Sequence, residues 1–165
     1  MKPVMGTVTS ALVAILLALS ACAPAGPPYA SVAATIPPVA PGMARIYFYR
    51  WLEPYETTTP SVAFLNGAPV GVTQTGAVFY RDVPPGQYTI AVQSDEIYPN
   101  QFKTVVLRPG DVAYARIESL RTWAFCSNIG RPSGSHTGCR DTFVVQLMDP
   151  RVAPGEMGDL RFIQG

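Results

Sequence analysis

Short runs of alternating apolar and polar residues, separated by turn residues, make up most of the chain after residue 42. Such alternation places successive side chains on opposite faces of an extended strand. In the first run, 44–51, Ile46 and Phe48 share one face. Tyr47 and Tyr49 share the other face. The same pattern predicts further strands at 61–65, 69–72, 77–81, 87–92, 102–107, 112–117 and 142–147.

Three turn signals separate these strands. Asn66-Gly67 is typical of a two-residue hairpin, because both positions tolerate a positive φ. Pro84-Pro85-Gly86 and Pro109-Gly110 predict two further hairpins, since proline presets φ and the following glycine accepts the left-handed position of a type II turn.

The pattern after residue 42 shows no sustained helical periodicity, so we expect an all-β fold. Seven or eight short strands with frequent turns predict a single antiparallel β-sandwich of immunoglobulin or transthyretin-like type over residues 43–150. Residues 151–165 then form a C-terminal tail. Its segment 160–163 leaves two possibilities open, docking as an extra strand or a loose arrangement.

The beginning of the chain has a different pattern, with Lys2 followed by an almost wholly apolar run, 8–19. A helix needs about 20 such residues to span a bilayer, so this dozen predicts a signal peptide, residues 1–21. Its end, 19–22 with the sequence Leu-Ser-Ala-Cys, resembles the lipobox of bacterial lipoproteins. The resemblance implies cleavage before Cys22 and acylation of its thiol. The alternative is an ordinary secretory signal with a chance cysteine.

Lipidation of Cys22 would attach the chain to a membrane. Several acyl chains hold a protein firmly, at about 0.8 kcal/mol for each buried methylene. In Gram-negative lipoproteins, an aspartate directly after the lipidated cysteine usually retains the protein at the inner membrane. Ala23 occupies that place here, so the resemblance implies the outer membrane, facing the periplasm. Residues 22–42 are rich in proline and alanine and predict an extended tether; a proline-rich docking motif is the alternative.

Charge excludes one class of partner. Removal of residues 1–21 takes away Lys2, so the twelve Lys and Arg of the chain fall to eleven and equal its eleven Asp and Glu. Nucleic-acid binding needs a basic stripe that displaces counterions. A neutral domain of this kind is not expected to bind nucleic acid.

Two further cysteines, Cys126 and Cys139, bracket a loop with little apolar content. In an oxidising compartment we expect them to form a disulfide, which for a loop of this length contributes about 3 kcal/mol. The alternatives are free thiols or a metal site. Together with the single histidine, His136, the two cysteines match no standard zinc spacing, so no metal is expected.

The order of the β signals also resembles a family of uncharacterised bacterial lipoproteins that carry a small domain of unknown function. The matching features are the opening strand Ala44-Arg45-Ile46-Tyr47-Phe48-Tyr49-Arg50, the hairpin 64–71, the segments 79–80 and 85–90, and Pro109-Gly110 leading into Tyr114. PEGA and carboxypeptidase-regulatory-like modules are more distantly similar. The resemblance implies a surface-tethered β-domain without assigned chemistry or cofactor. The segment between the two cysteines departs from that pattern.

Candidate catalytic groups are few. The residue types of a catalytic triad are present in Ser133 or Ser135, His136 and Asp141. These residues lie together in a Gly-Ser loop, whereas a triad needs rigid elements that hold its members within hydrogen-bond distance. Asp95-Glu96 is more typical of a polar turn than of a general acid and base. We therefore expect no catalytic residues and no cofactor.

Aromatic residues offer the better candidate for binding. Most of the aromatic series is expected to pack in the core. Trp51 and Tyr55 lie where the first strand ends and are the best-placed exposed pair, a candidate surface for a glycan or a peptide. The sequence thus predicts a lipid-anchored, non-catalytic interaction module of the cell envelope that binds a protein or glycan. The alternatives are a structural subunit of an envelope assembly and a hydrolase that uses the 126–139 loop.

Overall fold

The structure, a computed structural model, describes residues 24–52, 57–94, 100–119 and 142–164. Within these ranges the chain is mostly β, which confirms the all-β prediction. The strands are β1 (Ala44–Arg50), β2 (Ser61–Leu65), β3 (Ala68–Thr73), β4 (Ala77–Val83), β5 (Gly86–Val92), β6 (Lys103–Leu107), β7 (Val112–Ser119), β8 (Phe143–Leu147) and β9 (Arg161–Phe162). Two short helices flank them, α1 (Tyr29–Val32), which continues as a 3₁₀ turn (Ala33–Thr35), and α2 (Ala153–Met157).

The strands form two sheets. The five-stranded sheet has the order β8-β7-β1-β4-β9, and the four-stranded sheet has the order β3-β2-β5-β6. The expectation of purely antiparallel pairing is wrong at two places, because β1 pairs with β7 in parallel and β4 pairs with β9 in parallel. Alternation along a strand is the same for either direction of pairing, so the sequence pattern carries no signal for this difference.

The hairpin between β2 and β3 forms as predicted. Asn66 and Gly67 have φ values of 50° and 81°, and the strands on either side pair in antiparallel fashion. Two successive residues with positive φ give the turn a twist that matches the twist of the paired strands.

The two proline turns do not form hairpins. Pro84-Pro85 leads from β4 to β5, and Pro109-Gly110 leads from β6 to β7, so each turn crosses from one sheet to the other. At the second turn, Asp111 N donates to Arg108 O at 3.1 Å and Gly110 has a φ of 86°. Turns that begin with the fixed negative φ of proline splay the strands that they join, which suits a crossing between sheets better than a hairpin.

A single apolar cluster contains residues of both sheets. At its centre Phe48 and Phe79 lie directly opposite each other on β1 and β4, with ring centroids 5.0 Å apart and planes at 11°. The buried members include Ile46, Phe48, Ala63, Leu65, Phe79, Ile90, Leu107, Ala115, Ile117, Phe143 and Val145. Ile46 and Phe48 therefore share the face that the alternation predicted.

A second cluster covers the other face of the five-stranded sheet. Tyr47 and Tyr49 of β1 pack there against Ala153 and Met157 of α2. This packing buries β1 along its whole length. Residues 151–164, for which the sequence left two possibilities open, are docked, because α2 covers the sheet and β9 adds to its edge.

The segment before β1 is held against the same edge. Its prolines predicted an extended chain, and this prediction is wrong for Tyr29–Thr35, which forms α1 and the 3₁₀ turn. The stretch between Pro28 and Pro37 contains no proline, and Pro28 sits at the start of α1, where a missing N–H costs no helical hydrogen bond. Phe162 N donates to Pro27 O at 2.8 Å, and Tyr29 N donates to Leu160 O at 2.7 Å.

Replacing Gly26 with alanine is expected to detach this segment from β9. A Cβ at Gly26 would overlap the carbonyl oxygen of Phe162. Because this oxygen belongs to the backbone, it cannot move aside as the end of a flexible side chain could. Hydrogen exchange should show faster exchange at Tyr29 N–H and Phe162 N–H, with little change in the strands of the main core. Gly155→Ala is the matched control, since open space surrounds that position. Unchanged exchange at both amides in Gly26→Ala would contradict the prediction.

Candidate functional site

Trp51, one of the two predicted binding residues, directly follows β1 and is half-buried. The guanidinium carbon of Arg116 lies 4.3 Å from the centroid of the ring. A cation placed over an indole face is attracted by the ring quadrupole, by about 0.5–2 kcal/mol depending on exposure. Arg116 of β7 therefore stabilises the orientation of the Trp51 ring.

Arg116 is itself held by a network of polar side chains. Its Nη1 lies 3.0 Å from Glu156 Oε1, and its Nε lies 2.8 Å from Glu118 Oε1. Nη2 donates to Gln146 Oε1 at 2.8 Å, and Gln146 Nε2 donates to Glu118 Oε2 at 2.7 Å. The side chain of Arg116 is only 12% exposed, so these partners replace part of the water that the charge has lost, although Nε itself has no hydrogen-bond partner among the described residues.

Tyr49 completes the network from the centre of the sheet. Its hydroxyl donates to Glu156 Oε2 at 2.6 Å. Burial, together with the hydrogen bond to Glu156 and its negative charge, raises the pKa of the Tyr49 phenol. Burial likewise raises the pKa of Tyr29 and of Tyr114, on the same face of the sheet. A phenol with a raised pKa stays neutral and is not a base.

These raised pKa values predict that the protein loses stability in alkaline solution. Above the ordinary tyrosine pKa of about 10, the unfolded chain releases phenol protons that the folded chain retains, so the free energy of unfolding falls as pH rises. Each such tyrosine contributes a slope of up to about 1.4 kcal/mol per pH unit. Below that pH both states keep the proton, and these tyrosines contribute no slope.

Urea titrations of the wild type and of Tyr49→Phe at a series of pH values measure this effect. The variant should show a constant loss at neutral pH, about 1.5 kcal/mol for a hydrogen bond to a charged group. Above pH 10 its free energy of unfolding should fall less steeply than that of the wild type. Parallel curves throughout the alkaline range would contradict the proposed cause.

A pocket of about 830 Å³ opens beside Trp51, at the end of the molecule where β1 ends and β4 begins. Ligand pockets in proteins commonly have volumes of about 300–1,000 Å³. Leu52, Pro60 and Leu160 supply apolar lining. The other lining residues are Pro24, Trp51, Thr58, Gln74, Thr75, Gly76, Asp159 and Arg161. Asp159 and Arg161 carry opposite charges, so the described rim has no net charge.

The remaining predicted site residues lie outside the described residues. This applies to Tyr55, to the lipidation residue Cys22, and to the expected disulfide of Cys126 and Cys139. The candidate triad of the 133–141 segment and the pair Asp95-Glu96 also lie there. These assignments stay predictions.

Sequence reasoning missed the residues that hold Trp51. Arg116 and Gln146 are directly opposite each other on β7 and β8, and Tyr49 pairs with Arg116 across β1 and β7. These pairings depend on strand order, which the sequence did not reveal. Glu156 lies on α2, in a region predicted as a tail, and no local signal connects it to Arg116.

The two carboxylates around Arg116 are engaged in ion pairs. Glu118 and Glu156 each form an ion pair with Arg116, so neither carboxylate faces the pocket as a separate acid or base. Within the described ranges, no cluster of three or more His, Cys, Asp or Glu side chains is placed to hold a metal ion. None of the helices in the described part of the chain has the length and apolar character needed to cross a bilayer.

No protein-family model, curated protein or solved structure matches this chain. The function proposed below therefore depends on the sequence and on the geometry of the pocket.

Proposed function

We propose that the protein is a lipid-anchored component of the cell envelope whose β-domain is a non-catalytic binding module. The segment Leu19-Ser20-Ala21-Cys22, behind a short apolar run, supports an anchor at Cys22. Acyl chains on that residue would hold the mature protein on the outer membrane, facing the periplasm. In that oxidising compartment Cys126 and Cys139 form a disulfide.

The domain is proposed to be a β-sandwich of the immunoglobulin or transthyretin-like type. Support comes from the shared apolar cluster, to which both sheets contribute, and from the two proline turns that carry the chain between sheets. In such folds, loops at the two ends of the sheets form the usual binding surfaces. The pocket beside Trp51 occupies one of these ends.

The observation that carries the binding role is the held orientation of Trp51 at the wall of the pocket. An aromatic ring that is fixed before a ligand arrives loses little conformational entropy on binding. Its apolar neighbours Leu52 and Pro60 offer contact area, while Gln74 offers a polar group that can orient a ligand. The proposed ligand is a segment of an envelope protein or a glycan.

Site-specific photocrosslinking in intact envelopes tests this role. A photoreactive amino acid at Thr58, exposed at the rim of the pocket, should give a discrete adduct. That adduct should be lost when Trp51→Ala is added, because the ring provides the main apolar contact. Protease and glycosidase digestion of the adduct then distinguishes a protein ligand from a glycan.

The same photoreactive amino acid at Ala68 is the control. Ala68 is exposed and follows the Asn66-Gly67 hairpin, at the opposite end of the sheets. Identical adducts from both positions, or an adduct at Thr58 that is insensitive to Trp51→Ala, would rule out the pocket as the binding site.

A further inference from the structure

The chain that leads to the lipid is attached to the folded domain almost from its start. Pro27 O accepts a hydrogen bond from Phe162 N at 2.8 Å, and Pro28 forms a bridge with Arg161. Ala30 N donates to Gly158 O at 3.0 Å. Tyr29 also packs on Tyr47, with ring centroids 6.0 Å apart. These contacts fix the segment from Pro27 onward.

Only four residues separate Cys22 from Pro27. Five fully extended steps of the chain cover about 18 Å at most, at roughly 3.6 Å for each residue. A tether extended over the whole of residues 23–42 would reach about 60 Å, at roughly 3.1 Å for each residue. The lipid anchor therefore lies close to the domain, and Pro24, inside this short connection, lines the pocket beside Trp51.

The end of the domain that the anchor reaches exposes apolar side chains. Leu52, next to Trp51, is 76% exposed, the largest exposed fraction among the described large hydrophobic residues. Pro60 is exposed beside it. Tryptophan is enriched at the level of lipid headgroups, where an amphipathic ring meets both apolar and polar surroundings. Of the described residues that line the pocket, Asp159 and Arg161 are charged, and their charges balance each other.

We infer that this end of the domain, with Leu52 and Trp51 at its surface, rests on the lipid bilayer that holds the anchor. The inference depends on the proposed lipidation of Cys22 and adds the orientation of the domain, so that the pocket is presented at the lipid surface. A short tether gives a local concentration on the order of millimolar, so even a weak contact between Leu52 and lipid is populated.

Tryptophan quenching by brominated phospholipids in proteoliposomes tests this orientation. The chain has two tryptophans, and Trp123→Phe leaves Trp51 as the only one. In that background, Leu52→Trp adds a probe at the proposed contact, and Ala68→Trp adds one at the opposite end of the sheets. Both positions are exposed, so neither change is expected to disturb the core. Equal melting temperatures by circular dichroism would establish that both variants fold.

We expect brominated lipid to remove a larger fraction of the emission in Leu52→Trp than in Trp123→Phe alone. In Ala68→Trp the quenched fraction should fall, because the added ring lies away from the lipid. Equal quenching in the two variants would overturn the orientation.

Intact-mass measurement of the same preparations separates the two proposals. Acyl chains on Cys22 with equal quenching at positions 52 and 68 would overturn the orientation and leave the anchor in place. Mature protein without acyl chains would overturn the anchor, and the inferred orientation with it.

Discussion

Replacing Phe48 with alanine is expected to lower the free energy of unfolding by about 3–5 kcal/mol, a range typical of buried Phe→Ala changes. Phe48 is fully buried at the centre of the cluster that both sheets share. The substitution removes its stacking on Phe79 and leaves a cavity between strands that pair along their whole length. Such strands have little freedom to collapse into the space.

Urea denaturation followed by circular dichroism measures this loss. Phe102→Ala is the matched control, because the side chain of Phe102 is 59% exposed and the change should cost no more than about 0.5 kcal/mol. Equal costs for the two variants would show that the shared cluster is not the main source of stability.

The position of Phe48 could be predicted from the sequence because β1 alternates over its whole length. Ile46 and Phe48 face the shared cluster, and Tyr47 and Tyr49 face α2, as the period of two requires. The burial of the second face could not be predicted in this way. It depends on α2 and Tyr29, which come from the two ends of the described chain and carry too few apolar residues to be recognised as core elements.

The turn residues predicted the positions of the turns correctly. They did not predict whether a turn joins neighbouring strands of one sheet or carries the chain to the other sheet. Asn66-Gly67 supplies two positive φ values, and that requirement is specific for a tight hairpin. Pro109-Gly110 supplies one turn of about the same length, yet it carries the chain to the other sheet. β6 pairs with β5, the strand before it in the chain, whereas β7 pairs with β1, which is distant in sequence. That distant pairing places β7 in the other sheet.

The candidate site shows the same limit. Trp51 could be identified from its place at the end of an aromatic strand, but its orientation depends on Arg116 and Glu156. An ion pair between a strand and a helix 40 residues later has no local sequence signal. The sequence therefore predicts a candidate binding residue more readily than it predicts how that residue is held.

A large polar contribution to stability is expected at Arg45, which is only 3% exposed. Its Nε and Nη2 lie 2.6 and 2.9 Å from the two carboxylate oxygens of Asp82, directly opposite on β4. Nη1 donates to Pro37 O at 2.8 Å, and the guanidinium carbon lies 3.9 Å from the ring centroid of Tyr80. Arg45 thus connects the segment before β1 to the sheet.

Arg45→Ala is expected to lower the free energy of unfolding by about 3 kcal/mol, the lower part of the range for breaking a buried ion pair. Asp82 is 30% exposed, so water recovers part of its lost partner. Arg45→Lys should cost less than Arg45→Ala, because an ammonium keeps the charge but loses the two-pronged contact with the carboxylate. Arg108→Ala, at an exposed arginine, is the control and should change stability by no more than about 0.5 kcal/mol.

A double-mutant cycle with Asp82→Ala separates the ion pair from the other contacts of Arg45. If the pair carries most of the effect, the double variant should cost clearly less than the sum of the single variants, since the second change removes a partner that is already lost. The hydrogen bond to Pro37 O is lost in Arg45→Ala and equally in the double variant, so the free energy that it contributes is missing from both. Strictly additive costs would mean that Arg45 acts through Pro37 and Tyr80 instead, and its contact with the segment before β1 would then be its main role.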